Sequence, residues 1–278
     1  MEFIENIDEA DFILLGAPVD QGTENKGCSE APAKIREKMD NFFFSESANN
    51  RTIHDSSDIV EGETFEITMD RIFNKVRETL KMHKPIVLIG GNHSVTLPVI
   101  QGYSRHFNRM GVIFIDAHPD CQPDYFPYGD VIGGVSSIPE VNKTVLLGLR
   151  NWSKTEYQFL LENNIPFITM KDIYQNSMDY VISRVKEMMR DVDAIYISFD
   201  IDAVDPAFAP GTGWIEPGGL TSRQAIHLVQ ELAKMDRVEG FDIVEVNPEK
   251  DTNGITSSLA AKLILEFVDS YGSQTESY

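Results

Sequence analysis

The sequence predicts an α/β protein built on a mostly parallel sheet with helices on both faces. Two observations carry that expectation. Short runs of β-branched and aliphatic residues alternate with longer amphipathic stretches, the rhythm of strand–helix–strand units that pair in parallel. Three of the apolar runs, at residues 86–89, 112–115 and 194–197, lead directly into segments rich in aspartate and histidine. Parallel sheets bind ligands beyond the carboxyl ends of their strands, so chemistry clustered there fits the same architecture. A chain of 278 residues is within the size of one α/β unit. With no repeat, linker or break in composition, one domain over 1–278 is expected.

The elements follow in order. Residues 12–15 are apolar and end at Gly16-Ala17-Pro18, a strand and its exit. Residues 31–39 read as a helix, with Pro32 in the first turn where a missing N–H is harmless. Residues 66–82 place Ile72, Val76 and Leu80 at four-residue spacing, one helical stripe. A strand at 86–89, a helix after Ser94 and a strand at 112–115 come next. Strands are expected at 144–147, 167–169, 194–198 and 238–244, and helices at 155–162, 178–189, 223–234 and 257–271. Residues 44–58, 121–141 and 205–219 are expected to be irregular.

Composition excludes several roles. Lys and Arg total 24 against 44 Asp and Glu, a formal charge of -20. No basic tract could follow a phosphate backbone, so nucleic acid is not expected as a partner. No apolar stretch approaches the ~20 residues of a membrane span, and the N-terminus lacks a secretory leader's pattern. Cys28 and Cys121 are too few for a disulfide framework, which together indicate a reduced, cytoplasmic protein.

The chemistry is concentrated in Gly90-Gly-Asn-His-Ser94, Asp116-Ala-His-Pro-Asp120 and Ser198-Phe-Asp-Ile-Asp-Ala-Val-Asp-Pro206. Side chains at i, i+2 and i+4 of an extended segment share a face. Asp116, His118 and Asp120 can therefore project together, as can Asp200 and Asp202, with His93 supplied by a third strand end. A single Asp-x-Asp is often a capping device, and a lone histidine after a Gly-Gly turn is ordinarily a hydrogen-bonded one. Three such segments after three strands point instead to metal. Carboxylates gathered at the ends of buried strands repel one another unless a cation neutralises them. Hard oxygen ligands with two imidazoles and no thiolate suit manganese or another first-row divalent ion. Two such ions can share a water and generate hydroxide for hydrolysis.

These motifs are similar to those of the ureohydrolase family, the arginases, agmatinases and formimidoylglutamases. The similarity begins at Leu15-Gly-Ala-Pro-Val-Asp-Gln-Gly22 and Ala31-Pro-Ala-Lys-Ile-Arg36 and takes in all three metal segments. It continues through Pro210-Gly-Thr-Gly213, Pro217-Gly-Gly-Leu-Thr221 and Asp242-Ile-Val-Glu-Val-Asn-Pro248 to Asp251. The resemblance implies a three-layer α/β/α domain with two Mn2+ per chain. It assigns His93, Asp116, Asp120 and Asp200 to one ion and His118, Asp116, Asp200 and Asp202 to the other, Asp116 and Asp200 bridging. A metal-bridging hydroxide would attack the central carbon of a guanidinium or formimino group. The candidate catalytic carboxylates are Asp120 and Glu245, and Glu245 is the expected partner of the cationic amidine, a planar fork that suits a carboxylate. A capping role is the other reading of Glu245. A homo-oligomer, trimer or hexamer, is implied as well.

Four departures bear on the substrate. Asn92 stands where relatives commonly have Asp, and Pro119 where Thr or Phe is frequent. The loop after Asp120 carries no histidine; the His-Gly pair expected there aligns with Gly133-Gly134, leaving Asp130 or Tyr128 as possible substitutes. Ser153 replaces the acidic residue with which arginases read an α-amino group. The sequence thus argues against a strict arginase and favours agmatinase-like cleavage of a guanidino compound. Formiminoglutamate is the alternative substrate, although this chain lacks the Gly-Gly-Gly-His and Asp-Ala-His-Phe-Asp forms frequent in formimidoylglutamases. A metal-bearing regulatory protein with little catalysis, and a single-zinc deacylase, are the readings from other classes.

Overall fold

The computed structural model describes residues 1–23, 26–122 and 129–272. Its elements run β1 (Glu2–Phe3), β2 (Phe12–Ala17), α1 (Ala31–Met39), β3 (Thr52–Asp58), α2 (Phe65–Thr79), β4 (Ile86–Gly90), α3 (Thr96–Ser104), β5 (Met110–Ile115) and α4 (Val131–Ser136). The second half adds β6 (Val141–Leu149), α5 (Lys154–Glu162), β7 (Phe167–Thr169), α6 (Met170–Gln175), α7 (Met178–Met188), β8 (Ala194–Asp200), α8 (Ser222–Ala233), β9 (Val238–Val244) and α9 (Ile255–Ser270). The strands form one nine-stranded sheet in the order β1-β3-β2-β4-β9-β8-β5-β6-β7, and every neighbouring pair is parallel.

Helices cover both faces, which is why the central strands are near-continuous apolar runs rather than alternating ones, interrupted in β8 and β9 by residues such as Ser198 and Asp242. In β4, Val87 and Ile89 face one core with Ile35 of α1, Val185 of α7, Leu232 of α8 and Phe267 of α9. Ile86 and Leu88 face the other, with Val76 of α2, Ile100 of α3 and Val135 of α4. The three-layer α/β/α expectation is correct.

Three stretches differ from the sequence reading. Residues 52–58, expected to be irregular, form β3. Their Thr-Ile-His-Asp-Ser-Ser-Asp composition is poor in strand formers, but β3 lies next to the edge, covered only by the two-residue β1, and of its side chains only Ile53 is buried. Within 121–141, residues 131–136 form α4 despite Gly133 and Gly134, because Val131, Ile132 and Val135 are buried beneath α3. Residues 170–175 form α6, started by a reciprocal capping box between Thr169 and Asp172. No helix among the described residues is long and apolar enough to cross a membrane.

The strand order positions the site. β4 and β5 are successive strands in the chain, yet β9 and β8 lie between them. The carboxyl ends of β4, β9, β8 and β5 therefore stand side by side, each delivering one acidic or histidine-bearing segment.

Candidate metal centre

Each segment is fixed by its backbone before its side chains act. After β4, Gly91 passes so close to Val19 that a Cβ there would sit 2.1 Å from the Val19 carbonyl oxygen. That approach lets the Asn92 N–H donate to the Val19 carbonyl at 2.9 Å. Asn92 then caps a 3-10 turn over His93–Val95, its Oδ1 accepting from the Ser94 N–H at 3.3 Å. Its Nδ2 donates to the Gln21 carbonyl at 3.1 Å, a bond an aspartate could not make. The departure at Asn92 is thus a loop-to-loop tie.

After β5, the Asp116 carboxylate accepts from the His118 N–H at 2.6 Å, and Asp120 adopts a left-handed φ of 39°. After β8, Asp200 caps the turn at Ile201–Ala203 by accepting from the Asp202 N–H at 2.8 Å. Asp202 in turn accepts from the Ala117 N–H at 3.1 Å, joining the β8 and β5 segments.

The side chains converge as the sequence proposed. His93 Nδ1 lies 3.2 Å from Asp116 Oδ2, 3.3 Å from Asp120 Oδ2 and 3.3 Å from Asp200 Oδ2. His118 Nδ1 lies 2.9 Å from Asp202 Oδ2 and 3.8 Å from Asp116 Oδ1. All six residues come together; five of them fall into two groups that meet at Asp116, His93 with Asp116 and Asp120, and Asp116 with His118 and Asp202, and Asp200 joins through His93. Burial pushes the Asp116 carboxyl up to about 7, helped by the charges of Asp202 and Asp120. Asp200 is driven well above the usual carboxylate range by burial and by the same kind of neighbours. For His118 burial favours the neutral ring, but the hydrogen bond and charge of Asp202 outweigh it and raise the imidazole to about 11.

Whether a cation fits is decided by His93. Its Nε2 lies 3.1 Å from Ser198 Oγ, and Ser198 donates its own proton to Asp242 Oδ1 at 2.7 Å. Ser198 therefore accepts from Nε2–H, which leaves Nδ1 as a bare lone pair in the neutral ring. That Nδ1, with Asp116 Oδ2 beside it, is buried and has no hydrogen-bond partner. Lone pairs facing lone pairs away from water are costly; without metal a proton relieves them, since against burial the Asp116, Asp120 and Asp200 carboxylates raise the His93 imidazole well above its usual value, and a divalent cation can take that proton's place. The donor set, carboxylate oxygens with imidazole nitrogens, fits such an ion.

Sequence reasoning missed the second ring of residues. Asp242 is fully buried in β9 and accepts from Thr96 at 2.9 Å and Tyr196 at 3.0 Å as well as from Ser198. The available signal was a carboxylate inside an apolar strand, which demands partners. Arg150, Asn151 and Glu216, described below, were also unassigned.

Glu245 follows β9 with a left-handed φ of 60°. Its N–H donates to the Gly91 carbonyl at 2.9 Å, and its Oε1 accepts from the His93 N–H at 2.7 Å. The Cys28 thiol is 3.7 Å from Oε2. The capping reading of Glu245 is thus realised, and each oxygen still has a lone pair for a further donor. Burial pushes the Glu245 carboxyl up to about 7, against the lowering effect of the bond from His93. Ser153, the fourth departure, caps α5 in a reciprocal box with Glu156. Of the two substitutes for a loop histidine, Tyr128 lies outside the described residues. Asp130 is nearly buried, with Oδ1 unpartnered. That oxygen would lie 1.9 Å from a Cβ at Gly133, so it fills the space a side chain there would need. Burial, and then the Asp120 charge, raise the Asp130 carboxyl.

Comparison with known proteins agrees with this geometry. A sequence profile described as "Arginase family" matches residues 10–269. An agmatinase from Klebsiella pneumoniae is 31% identical over 283 residues, spanning 96% of this chain and 90% of the relative. The agmatine ureohydrolase of Thermoplasma volcanium superposes with a TM-score of 0.84 at 28% identity, covering 96% of this chain and 92% of that one. The formimidoylglutamase of Bacillus subtilis superposes with a TM-score of 0.90 at 25% identity, covering 96% and 89%.

Proposed function

Because the chain belongs to the arginase family, we propose that it is a binuclear manganese hydrolase that cleaves a guanidino compound in the manner of an agmatinase. It is a metal-type hydrolase of the guanidino and amidine class; the manganese, the count of two ions and the substrate are the finer reading. The observation that carries it is the convergence of two imidazole Nδ1 atoms on four aspartates at adjacent strand ends.

His93, Asp116, Asp120 and Asp200 would hold one ion, and His118, Asp116, Asp200 and Asp202 the other. When bound, such a pair lowers the pKa of a shared water toward neutrality and so supplies the nucleophile. The residues do the rest. Asp120 is the most solvent-facing of the four aspartates, at 25% side-chain exposure against 1–4% for the others. Its Oδ2 faces His93, which leaves Oδ1 to take the proton of the attacking water. Glu245 presents Oε2 to an amidine N–H while Oε1 keeps its bond to the His93 backbone.

A panel of agmatine, arginine, other guanidino acids and formiminoglutamate, incubated with manganese-loaded protein and assayed for urea and formamide, tests this. Urea from agmatine is expected. No turnover across the panel, with two ions bound per chain, would leave a metal-bearing regulatory protein instead. The formimidoylglutamase reading is favoured by the superposition with the Bacillus subtilis enzyme, and release of formamide would establish it. A trimer or hexamer is proposed with the family, and sedimentation analysis distinguishes either from a monomer.

A further inference from the structure

The two histidines of the site have the same arrangement, with Nδ1 toward the carboxylates and Nε2 outward, but different support behind Nε2. Behind His93 stands the buried Ser198–Asp242 pair. Behind His118 stands Glu216, whose Oε1 lies 3.5 Å from Nε2. Glu216 arrives from residues 205–219, a loop that no regular element orients.

What orients it is a closed circuit of hydrogen bonds. The Arg150 and Asn151 N–H groups both donate to the Ala117 carbonyl, at 3.0 and 3.2 Å, which ties the end of β6 to the residue preceding His118. Arg150 then donates through Nε and Nη2 to the Glu216 carbonyl at 3.2 and 2.6 Å, and through Nη2 to the Asp202 carbonyl at 2.6 Å. Asn151 Nδ2 donates to Glu216 Oε1 at 2.5 Å. One arginine thus clamps the Glu216 loop to the β8 segment, and the neighbouring asparagine aims the carboxylate.

We propose that Glu216, aimed by Asn151, is the positioning residue of His118: it accepts from Nε2–H and so commits the Nδ1 lone pair to the metal that His118 shares with Asp202. This rests on the two-ion reading above. Outer partners of ligating histidines fix the ring's tautomer and orientation, and their loss commonly weakens metal binding about 10–100-fold. Because His93 has its own support, the effect belongs to one ion only. Because Arg150 grips the Glu216 carbonyl and not its carboxylate, shortening the side chain leaves the loop anchored.

The test is a Mn2+ titration of metal-free protein, followed by calorimetry and by the magnetic-resonance signal of free Mn2+. The wild type is expected to take up two ions. Glu216→Ala should weaken one of them about 10–100-fold, leave the other unchanged and leave the metal-free melting temperature where it was. Glu216→Gln, which still offers an acceptor oxygen, should recover most of the lost affinity, and Asn151→Ala should show a smaller loss at the same ion. The inference is overturned if Glu216→Ala binds both ions as the wild type does, weakens both equally, or melts markedly earlier without metal. It is overturned too if Glu216→Gln is as impaired as Glu216→Ala. A wild type that holds fewer than two ions overturns the two-ion reading and this inference with it. A two-ion wild type with an indifferent Glu216→Ala overturns this inference alone.

Discussion

Glu245 carries two tasks on one carboxylate, and a single substitution separates them. Glu245→Gln keeps an oxygen for the His93 N–H and loses the charge. It should fold with a denaturation midpoint close to wild type while kcat/KM for a guanidinium substrate falls about 10–100-fold, the scale of one charge-assisted hydrogen bond. An unchanged kcat/KM would reduce Glu245 to its clasp between β9 and the His93 turn. Gly91→Ala belongs to the same scale. Its Cβ would meet backbone atoms of Val19 that have no rotamer to yield with, so a cost of about 1–3 kcal/mol or more is expected from urea unfolding. The six converging residues were legible in the sequence because they lie in three short segments at the ends of buried strands, although turns and the left-handed Asp120, not strand alternation, aim them. Asp242 and Glu216 were not, because their partners are remote: Ser198 meets Asp242 across 44 positions and His118 meets Glu216 across 98. Local spacing says nothing about pairs that only the sheet order brings together.

The strands and helices that pack on both faces were readable from their apolar runs, whereas the misread elements owe their form to neighbours. Residues 52–58 become β3 because β2 and β1 supply hydrogen-bonding edges to an otherwise polar segment. Residues 131–136 become α4 because α3 and the sheet bury their aliphatic side chains. Helix starts, by contrast, are written locally. α8 opens with a capping box in which the Thr221 hydroxyl accepts from the Gln224 N–H and the Gln224 side chain accepts from the Thr221 N–H. Thr221→Ala should cost about 0.5–2 kcal/mol, read as a lower unfolding midpoint at an unchanged denaturant slope. A shift within error would mean that packing of α8 against α9 sets its stability alone. Ser153 teaches the same lesson about function. A residue that looked like a missing substrate contact is the N-cap of α5.

Across the whole molecule the carboxylate cluster makes stability depend on protons and cations together. Without metal, burial and the neighbouring carboxylates raise the Asp116 carboxyl from 3.8 to about 7, while for His118 the hydrogen bond and charge of Asp202 outweigh burial and raise the imidazole from 6.5 to about 11. Both groups hold protons more tightly folded than unfolded, so their contribution is full in acid and is lost as pH rises through the folded values. Asp202, lowered by His118 against the effect of burial, acts in the opposite sense: its contribution is full above its unfolded value and is lost only in acid, as pH falls through the folded value. The melting temperature of chelator-treated protein should therefore fall between about pH 6 and pH 9. Added Mn2+ should restore it most at the alkaline end, where the ligands are deprotonated. A metal-free profile flat over that range would show that the cluster is relieved in some other way. The sheet order has a further consequence, one for biosynthesis. A ribosome that has emitted residues 1–190 has made β4 and β5 but not the two strands that separate them. Each then exposes a long unpaired edge, a state prone to aggregation. His93, Asp116, His118 and Asp120 exist by then as loose ends, and Asp200, Asp202 and Glu245 arrive with the last third of the chain. By then one of the two groups, His93, Asp116 and Asp120, is complete in sequence, whereas the other, Asp116, His118 and Asp202, waits for β8 and Glu245 waits for β9.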